Sequence, residues 1–167
     1  MLFRSVPLQK SRDGGELHGI PWVDSRDRLW LPRSPDSAAV LDHGQTDVLP
    51  DTGLPRLEDS TGRVWFVNAT DKKLVVIGPD AQRMEWRDEA ITDQTTVVEN
   101  KGLYCFNTTR GLRHLVVVAS ASLRLKGDDA AYERGIPKGT CDGMWLDREG
   151  ALWFCTPGRL YHFEVPS

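Results

Sequence analysis

Residues suited to acid–base or ligand chemistry are spread thinly along this 167-residue chain. Glu16, His18, Arg56 and Asp142 form the most useful mixed set, with Gln94 as a neutral companion. Two carboxylates offer hard oxygen ligands to a divalent cation. An imidazole titrates near neutrality, and a guanidinium presents a fork to an anion. The charges of the set nearly cancel, so it suits a small polar or anionic ligand at least as well as a metal. Elsewhere the chemistry is sparse. His18, His43, His114 and His162 never stand in a paired motif, and Cys105, Cys141 and Cys155 lack metal-ligand spacing. No catalytic residue and no resident cofactor or metal is therefore assigned, with a divalent cation as the alternative. Glu16 and Asp142 can meet only if the fold gathers remote segments around one point.

A repeat provides that gathering. Four segments place a short apolar run, a tight polar turn and a second apolar run in succession: IPWVDSRDRLWL from Ile20, PRLEDSTGRVWF from Pro55, TVVENKGLYCF from Thr96 and GMWLDREGALWF from Gly143. A period of roughly 35–50 residues marks a solenoid, propeller or array. Aligned on the turn, Trp22, Leu57, Val97 and Trp145 precede it, and Trp30, Trp65, Cys105 and Trp153 follow it. The turns are 24–27, 59–62, 99–102 and 147–150, ending in Asp27, Gly62, Gly102 and Gly150. An Asx side chain opens a type I turn, and the fourth residue takes the left-handed conformation that Gly accepts and Asp tolerates. Such turns join antiparallel strands through a bulge. Each copy is a β-hairpin.

Further strands follow each hairpin. A third apolar run occupies 38–41, 74–77, 115–118 and 160–165, rich in the β-branched and aromatic residues that strands favour. A fourth fits 46–49, 83–86 and 122–125. Four antiparallel strands per repeat describe a propeller blade. The expected architecture is an all-β propeller of about four blades in a single domain, 1–167, with blades near 16–50, 52–88, 92–126 and 139–167. The last blade lacks a fourth strand, and the strand-like piece Leu2–Val6 is expected to close the ring by pairing with the strand at 160–165, which removes two exposed edges.

The pattern resembles the two-component-regulator type of propeller repeat, which occurs in the periplasmic sensor regions of bacterial hybrid histidine kinases. That repeat runs apolar–x–x–Asp–x–x–Gly–x–Leu–Trp–Phe–Gly–Thr, then Gly–Leu–Tyr–Arg–Phe. Leu146 to Thr156 and Gly158 to Phe163 follow it closely, with Cys155 in place of Gly and His162 in place of Arg. The second copy matches moderately, and the first and third are degenerate. Streptogramin-lyase-like and gluconolactonase-like propellers share the local pattern. The resemblance implies a blade architecture rather than an activity. In gluconolactonase-like propellers a Glu, an Asn and an Asp hold a divalent ion at the axial mouth. Here Glu16 and Asp142 fit two of those roles, while Asn68, Asn100 and Asn107 lie elsewhere. Lyase-like members use a His at that mouth, and only His18 is placed for it. Those families usually have six or seven blades. Three arrangements follow for this chain: a compact four-bladed ring, which the closing strand favours, a half-ring completed by dimerisation, or part of a larger propeller.

Composition restricts the partners. With 40% hydrophobic and 27% charged residues, the chain has the makings of one domain with a proper core. A net charge of −3 argues against nucleic acid, whose backbone requires a basic face. No apolar run approaches the ~20 residues of a membrane span. The first residues are too few and too polar for a secretory signal, so a cytoplasmic location is expected unless a signal peptide has been removed. The expected function is a non-catalytic binding or sensor module for a protein or small polar ligand, with homodimerisation open to it. The alternative is a small propeller enzyme, a metal-dependent lactonase or lyase, with its site at the axis. Beyond the axial set, Trp86 lies between Glu85 and Arg87 on an outer strand, where an exposed indole would mark a contact surface. Tyr132 and Arg134 sit in an inserted stretch, Lys126–Lys138, and are suited to touch a partner. The remaining Trp residues, recurring inside apolar runs, are expected to pack between blades.

Overall fold

The computed structural model describes residues 19–34, 36–118, 122–125 and 143–163. They form four antiparallel sheets, and no helix occurs among the described residues. Blade 1 consists of β1 (Trp22–Val23), β2 (Leu29–Ser34), β3 (Ser37–Asp42) and β4 (Gln45–Leu49). Blade 2 holds β5 (Leu54–Glu58), β6 (Val64–Asn68), β7 (Lys73–Ile77) and β8 (Arg83–Arg87). Blade 3 holds β9 (Val97–Asn100), β10 (Leu103–Thr108), β11 (Gly111–Val118) and β12 (Ser122–Leu125). Blade 4 holds β13 (Gly143–Leu146), β14 (Leu152–Thr156) and β15 (Arg159–Phe163). Each sheet is a meander in which every strand pairs with its chain neighbours. The all-β blades expected from the repeat are present, four-stranded in the first three copies and with three described strands in the fourth. The closing strand Leu2–Val6 lies outside the described residues.

Alternation of side chains sets how the blades stack, because successive residues of a strand face opposite sides. In blade 1, Trp22, Trp30 and Val40 form one cross-strand row and pack against Val64, Phe66 and Val75 of blade 2. The opposite face of blade 2 carries Trp65, Val67, Leu74, Val76 and Met84 onto Val97, Tyr104, Phe106 and Leu115 of blade 3. The far face of blade 3, with Leu103, Cys105 and Leu112, meets Met144, Leu152 and Phe154 of blade 4. Blades 2 and 3 are thus layers with an apolar seam on either side, and the chain advances one layer per repeat. Ring pairs strengthen the seams: Trp30 meets Phe66 edge-on at 5.4 Å, and Trp65 stacks on Tyr104 at 4.1 Å.

The repeat turns explain the hairpins. In the first, second and fourth copies, the residue closing the turn donates to the carbonyl of the opening aspartate: Asp27 to Asp24, Gly62 to Asp59, Gly150 to Asp147. Asp27, Gly62 and Gly150 take positive φ of 61°, 79° and 86°, as the turn reading requires. The third copy departs from that reading. Asn100 pairs directly with Leu103, and Lys101 and Gly102, both left-handed, make a two-residue hairpin. By register Asn100, not Glu99, stands where the other copies open the turn with aspartate, and the loop after it is one residue shorter, so the carboxylate that would organise the longer loop is missing.

Candidate functional site

Three structural aspartates organise one rim of the molecule. Asp59 Oδ1 accepts from the backbone N–H of Thr61 and of Arg63, each at 2.9 Å, and from the Thr61 hydroxyl at 2.7 Å. Its Oδ2 accepts from the Trp65 indole at 3.0 Å and from the Tyr104 hydroxyl of the next blade at 2.8 Å. Asp24 repeats the pattern with the N–H groups of Arg26 and Arg28 and the Trp30 indole at 2.9 Å. Asp147 does so with the N–H groups of Glu149 and Ala151 and the Trp153 indole at 2.8 Å. Burial pushes the Asp24 and Asp59 carboxyls up, but the converging donors outweigh it and hold both below the usual aspartate range. At Asp147 the Trp153 indole leads the same downward shift. The Tyr104 phenol moves up, through burial and then the Asp59 carboxylate it faces.

Successive turns are clamped to one another. The Ser25 N–H and hydroxyl both donate to Glu58 of the next blade, at 2.7 and 2.6 Å. Ser60 donates to Glu99 in the same way, at 2.7 and 2.5 Å. Glu58 and Glu99 are equivalent: each immediately precedes the turn of its own blade. Between blades 3 and 4 the clamp changes, and the Asn100 amide donates to the Gly150 carbonyl at 3.3 Å. An open cleft of about 540 Å³ lies along this rim. Ser60, Glu99, Lys101, Asp147, Arg148 and Glu149 line it with mixed charge.

Arg56 occupies a different position. The pairing of β5 with β6 slips between Pro55 and Leu57, so Arg56 is the extra residue of a β-bulge in the first strand of its blade. Bulges re-aim side chains. The guanidinium reaches toward the next blade and donates from Nη2 to the Asp93 carbonyl at 2.7 Å. Its Nε is buried without a partner among the described residues. Burial lowers the Arg56 pKa, and the Asp93 carboxylate opposes that shift. Of the axial set, Arg56 and its companion Gln94, which is exposed in the link ahead of β9, fall within the described residues. Glu16, His18 and Asp142 lie outside them, as do Tyr132 and Arg134 in the inserted stretch.

Trp86 does not present the exposed indole that its charged neighbours suggest. It is half-buried and packs against the core between blades 2 and 3. The alternation of β8 turns Met84 and Trp86 inward together. The inter-blade role expected of the other Trp residues holds for Trp30 and Trp65, which are buried. It fails in blade 4, where Trp145 is 45% exposed and Trp153 packs against His162 of its own sheet, ring centres 4.4 Å apart.

Two features of the rim were legible but unread in the sequence. Aspartate and tryptophan stand six residues apart in three copies, which the turn-and-packing reading treated as separate signals. Glu58 and Glu99 share a repeat position, yet a glutamate on a polar turn carries no mark of its partner.

No family model and no curated protein matches this chain. Solved structures do. A catalytically inactive H270A virginiamycin B lyase from Staphylococcus aureus, with quinupristin, aligns at 17% identity and a TM-score of 0.59 over 88% of this chain and 55% of its own. A streptogramin B lyase aligns at 15% identity and 0.58, over 87% and 55%. The extracellular domain of the putative one component system BT4673 from B. thetaiotaomicron aligns at 15% and 0.57, over 86% and 19%. The fold is that of a β-propeller. The chain spans about half the length of the lyases it matches, and at these identities the likeness concerns the fold alone.

Proposed function

We propose that this chain is a binding module that takes a small polar or anionic ligand at the inner edge of the blades, with Arg56 as its anion contact. The observation that carries this reading is the bulge at Arg56. An inserted residue turns a guanidinium out of the sheet and leaves a donor unsatisfied, whereas the charged groups of the turn rim are already engaged. Asp24, Asp59 and Asp147 hold their turns and indoles, and Glu58 and Glu99 hold their neighbours. A buried donor without an acceptor costs about 1–3 kcal/mol, which an anionic ligand would recover. In this reading Glu16, His18 and Asp142 complete the mouth, and Tyr132 and Arg134 serve partner contacts. A sensor role fits the fold shared with the BT4673 extracellular domain.

The test is a thermal-shift and calorimetric titration with phosphate, citrate and gluconate, on wild type and Arg56→Gln. Saturable stabilisation of wild type, weakened at least tenfold in the variant, supports the reading. Equal responses in both proteins, or none in either, overturn it. The fold shared with a lyase in complex with quinupristin favours a second reading, a small propeller enzyme. Incubation with quinupristin, followed by mass spectrometry with and without added Ca²⁺ or Zn²⁺, decides that reading by the presence or absence of a cleaved product.

A further inference from the structure

Arg56 and Asp93 stand side by side without forming the ion pair that their charges invite. The guanidinium donates from Nη2 to the main-chain carbonyl of Asp93 at 2.7 Å. The carboxylate of the same residue shares no hydrogen bond or ion pair with any described residue, and the side chain is exposed. A guanidinium fits a carboxylate better than a single carbonyl, because two parallel charge-assisted bonds form. The link from β8 to β9 explains the departure, since it is locked from within. Asp88 Oδ1 accepts from the Ala90 N–H at 2.9 Å, and the Ile91 N–H donates to the Asp88 carbonyl at 3.0 Å. The Thr92 N–H donates to the Thr95 hydroxyl at 3.1 Å, and the Thr95 N–H donates back to the Thr92 carbonyl at 3.1 Å. Buried Asn107 accepts from the Thr96 N–H at 2.6 Å and donates to the Gln94 carbonyl at 3.2 Å. Lys72 Nζ holds the Ile91 carbonyl at 3.0 Å. Backbone on both sides of Asp93 is therefore fixed, which aims its carbonyl at Arg56 and keeps its carboxylate apart. The carboxylate still acts on Arg56 through space, opposing the downward pull of burial on its pKa.

We infer that Arg56 and Asp93 form a two-point clamp for a small zwitterion of the α-amino acid kind, whose carboxylate meets the guanidinium and whose ammonium meets the Asp93 carboxylate. This rests on the reading of Arg56 as the anion contact and narrows the ligand that the contact takes. A fixed cation and a fixed anion, held near each other but unpaired, present a dipole, and a ligand carrying both charges a few bonds apart matches it. A simple anion matches only half of the site, because it gains Arg56 and meets like charge at Asp93. The two groups come from separate blades, Arg56 from a bulge in β5 and Asp93 from the locked link ahead of β9. Neither has to be reorganised when the ligand arrives, and such preorganisation favours binding. Exposed Gln94 follows Asp93 and adds a neutral amide, which leaves the balance of charge unchanged.

Calorimetric titration of wild type, Asp93→Asn and Arg56→Gln with L-alanine and propionate tests this, since the two probes share a carbon skeleton and differ by the ammonium. Phosphate serves as the reference anion. Asp93→Asn is isosteric, lies at an exposed position and leaves the main-chain carbonyl in place, so its melting temperature should match wild type. Wild type is expected to bind alanine at least tenfold more tightly than propionate. In Asp93→Asn that preference should vanish while phosphate binding is kept or strengthened. In Arg56→Gln all three probes should weaken at least tenfold. Wild-type affinity for propionate equal to or above that for alanine overturns the clamp, as does a preference that survives Asp93→Asn. Either result, with phosphate binding still lost in Arg56→Gln, leaves Arg56 standing as an anion contact. Wild type that binds none of the three, or binding indifferent to Arg56→Gln, overturns the anion contact and the clamp together.

Discussion

Asp59 is the residue on which most of the second repeat depends. One carboxylate accepts five hydrogen bonds, two of them from the Trp65 indole and the Tyr104 hydroxyl deep in the seam. Asp59→Ala leaves both buried donors without an acceptor, at about 1–3 kcal/mol each. The expected loss is therefore about 3 kcal/mol or more in urea unfolding, and Asp59→Asn should fall between. A variant within about 0.5 kcal/mol of wild type, the range of an ordinary surface substitution, would show that the network contributes nothing net. The same carboxylates set the acid limit of the fold. Asp24, Asp59 and Asp147 have folded pKa values below their unfolded ones. Their stabilisation is complete above the ordinary aspartate pKa of about 4 and is lost as pH falls through the lower folded values. Stability measured by denaturant should be level from neutrality to about pH 5 and decline below about pH 4. The decline should be shallower in Asp59→Asn.

The hairpins depend on backbone conformations that only some residues accept. Gly62 and Gly150 are left-handed and have no backbone crowding their α-carbons, so Gly62→Val and Gly150→Val should each cost the conformational strain alone, about 1–3 kcal/mol. Asp27 occupies the same place in blade 1 with φ of 61°, so Asp27→Gly should be neutral or mildly stabilising. Gly53, in the link between blades 1 and 2, is different. Its φ is +88°, and an added Cβ would lie 2.2 Å from the Val67 carbonyl oxygen. Gly53→Ala should therefore cost more than the turn variants, above about 3 kcal/mol, because strain and a backbone clash combine. Melting the four variants in parallel tests the order. Gly53→Ala melting with Gly62→Val would refute the close approach.

Across the molecule, stability passes from blade to blade through apolar seams and rim clamps. Glu58→Ala and Glu99→Ala each remove two charge-assisted bonds from serines on the preceding turn. Those bonds are solvent-exposed, so each substitution should cost about 1–2 kcal/mol rather than the full worth of a buried pair. The two clamps share no partner, and the double variant should show nearly additive losses. A double variant that loses much more than the sum would mean that the blades unfold as independent layers once unclamped, visible as a second transition in calorimetry. Lys73 gives blade 2 a further tie. Its buried ammonium lies 2.8 Å from Asp51 of the link and 3.4 Å from Glu85 on the neighbouring strand.

The strands, their order and three of the four repeat turns were readable in the residues, because alternation and turn chemistry are local; the third turn, shorter by one residue, was not. Val64 to Asn68 forms a strand, and Gly62 turns left-handed, for reasons contained within a few neighbours. The architecture followed from counting such units. Where side-chain environments were misread, the missing information belonged to another blade. Trp86 looked exposed between two charges, yet alternation along β8 and the core of blade 3 bury half of it. Trp145 and Trp153 looked like seam residues, and their repeat positions say so, but the described structure leaves Trp145 open. Arg56 could be placed near the inner edge from its strand, whereas the bulge and the bond to Asp93 depend on register. The clamps at Glu58 and Glu99 were invisible for the same reason. A glutamate beside a turn has no preferred partner until the next layer brings a serine hydroxyl and an N–H within reach.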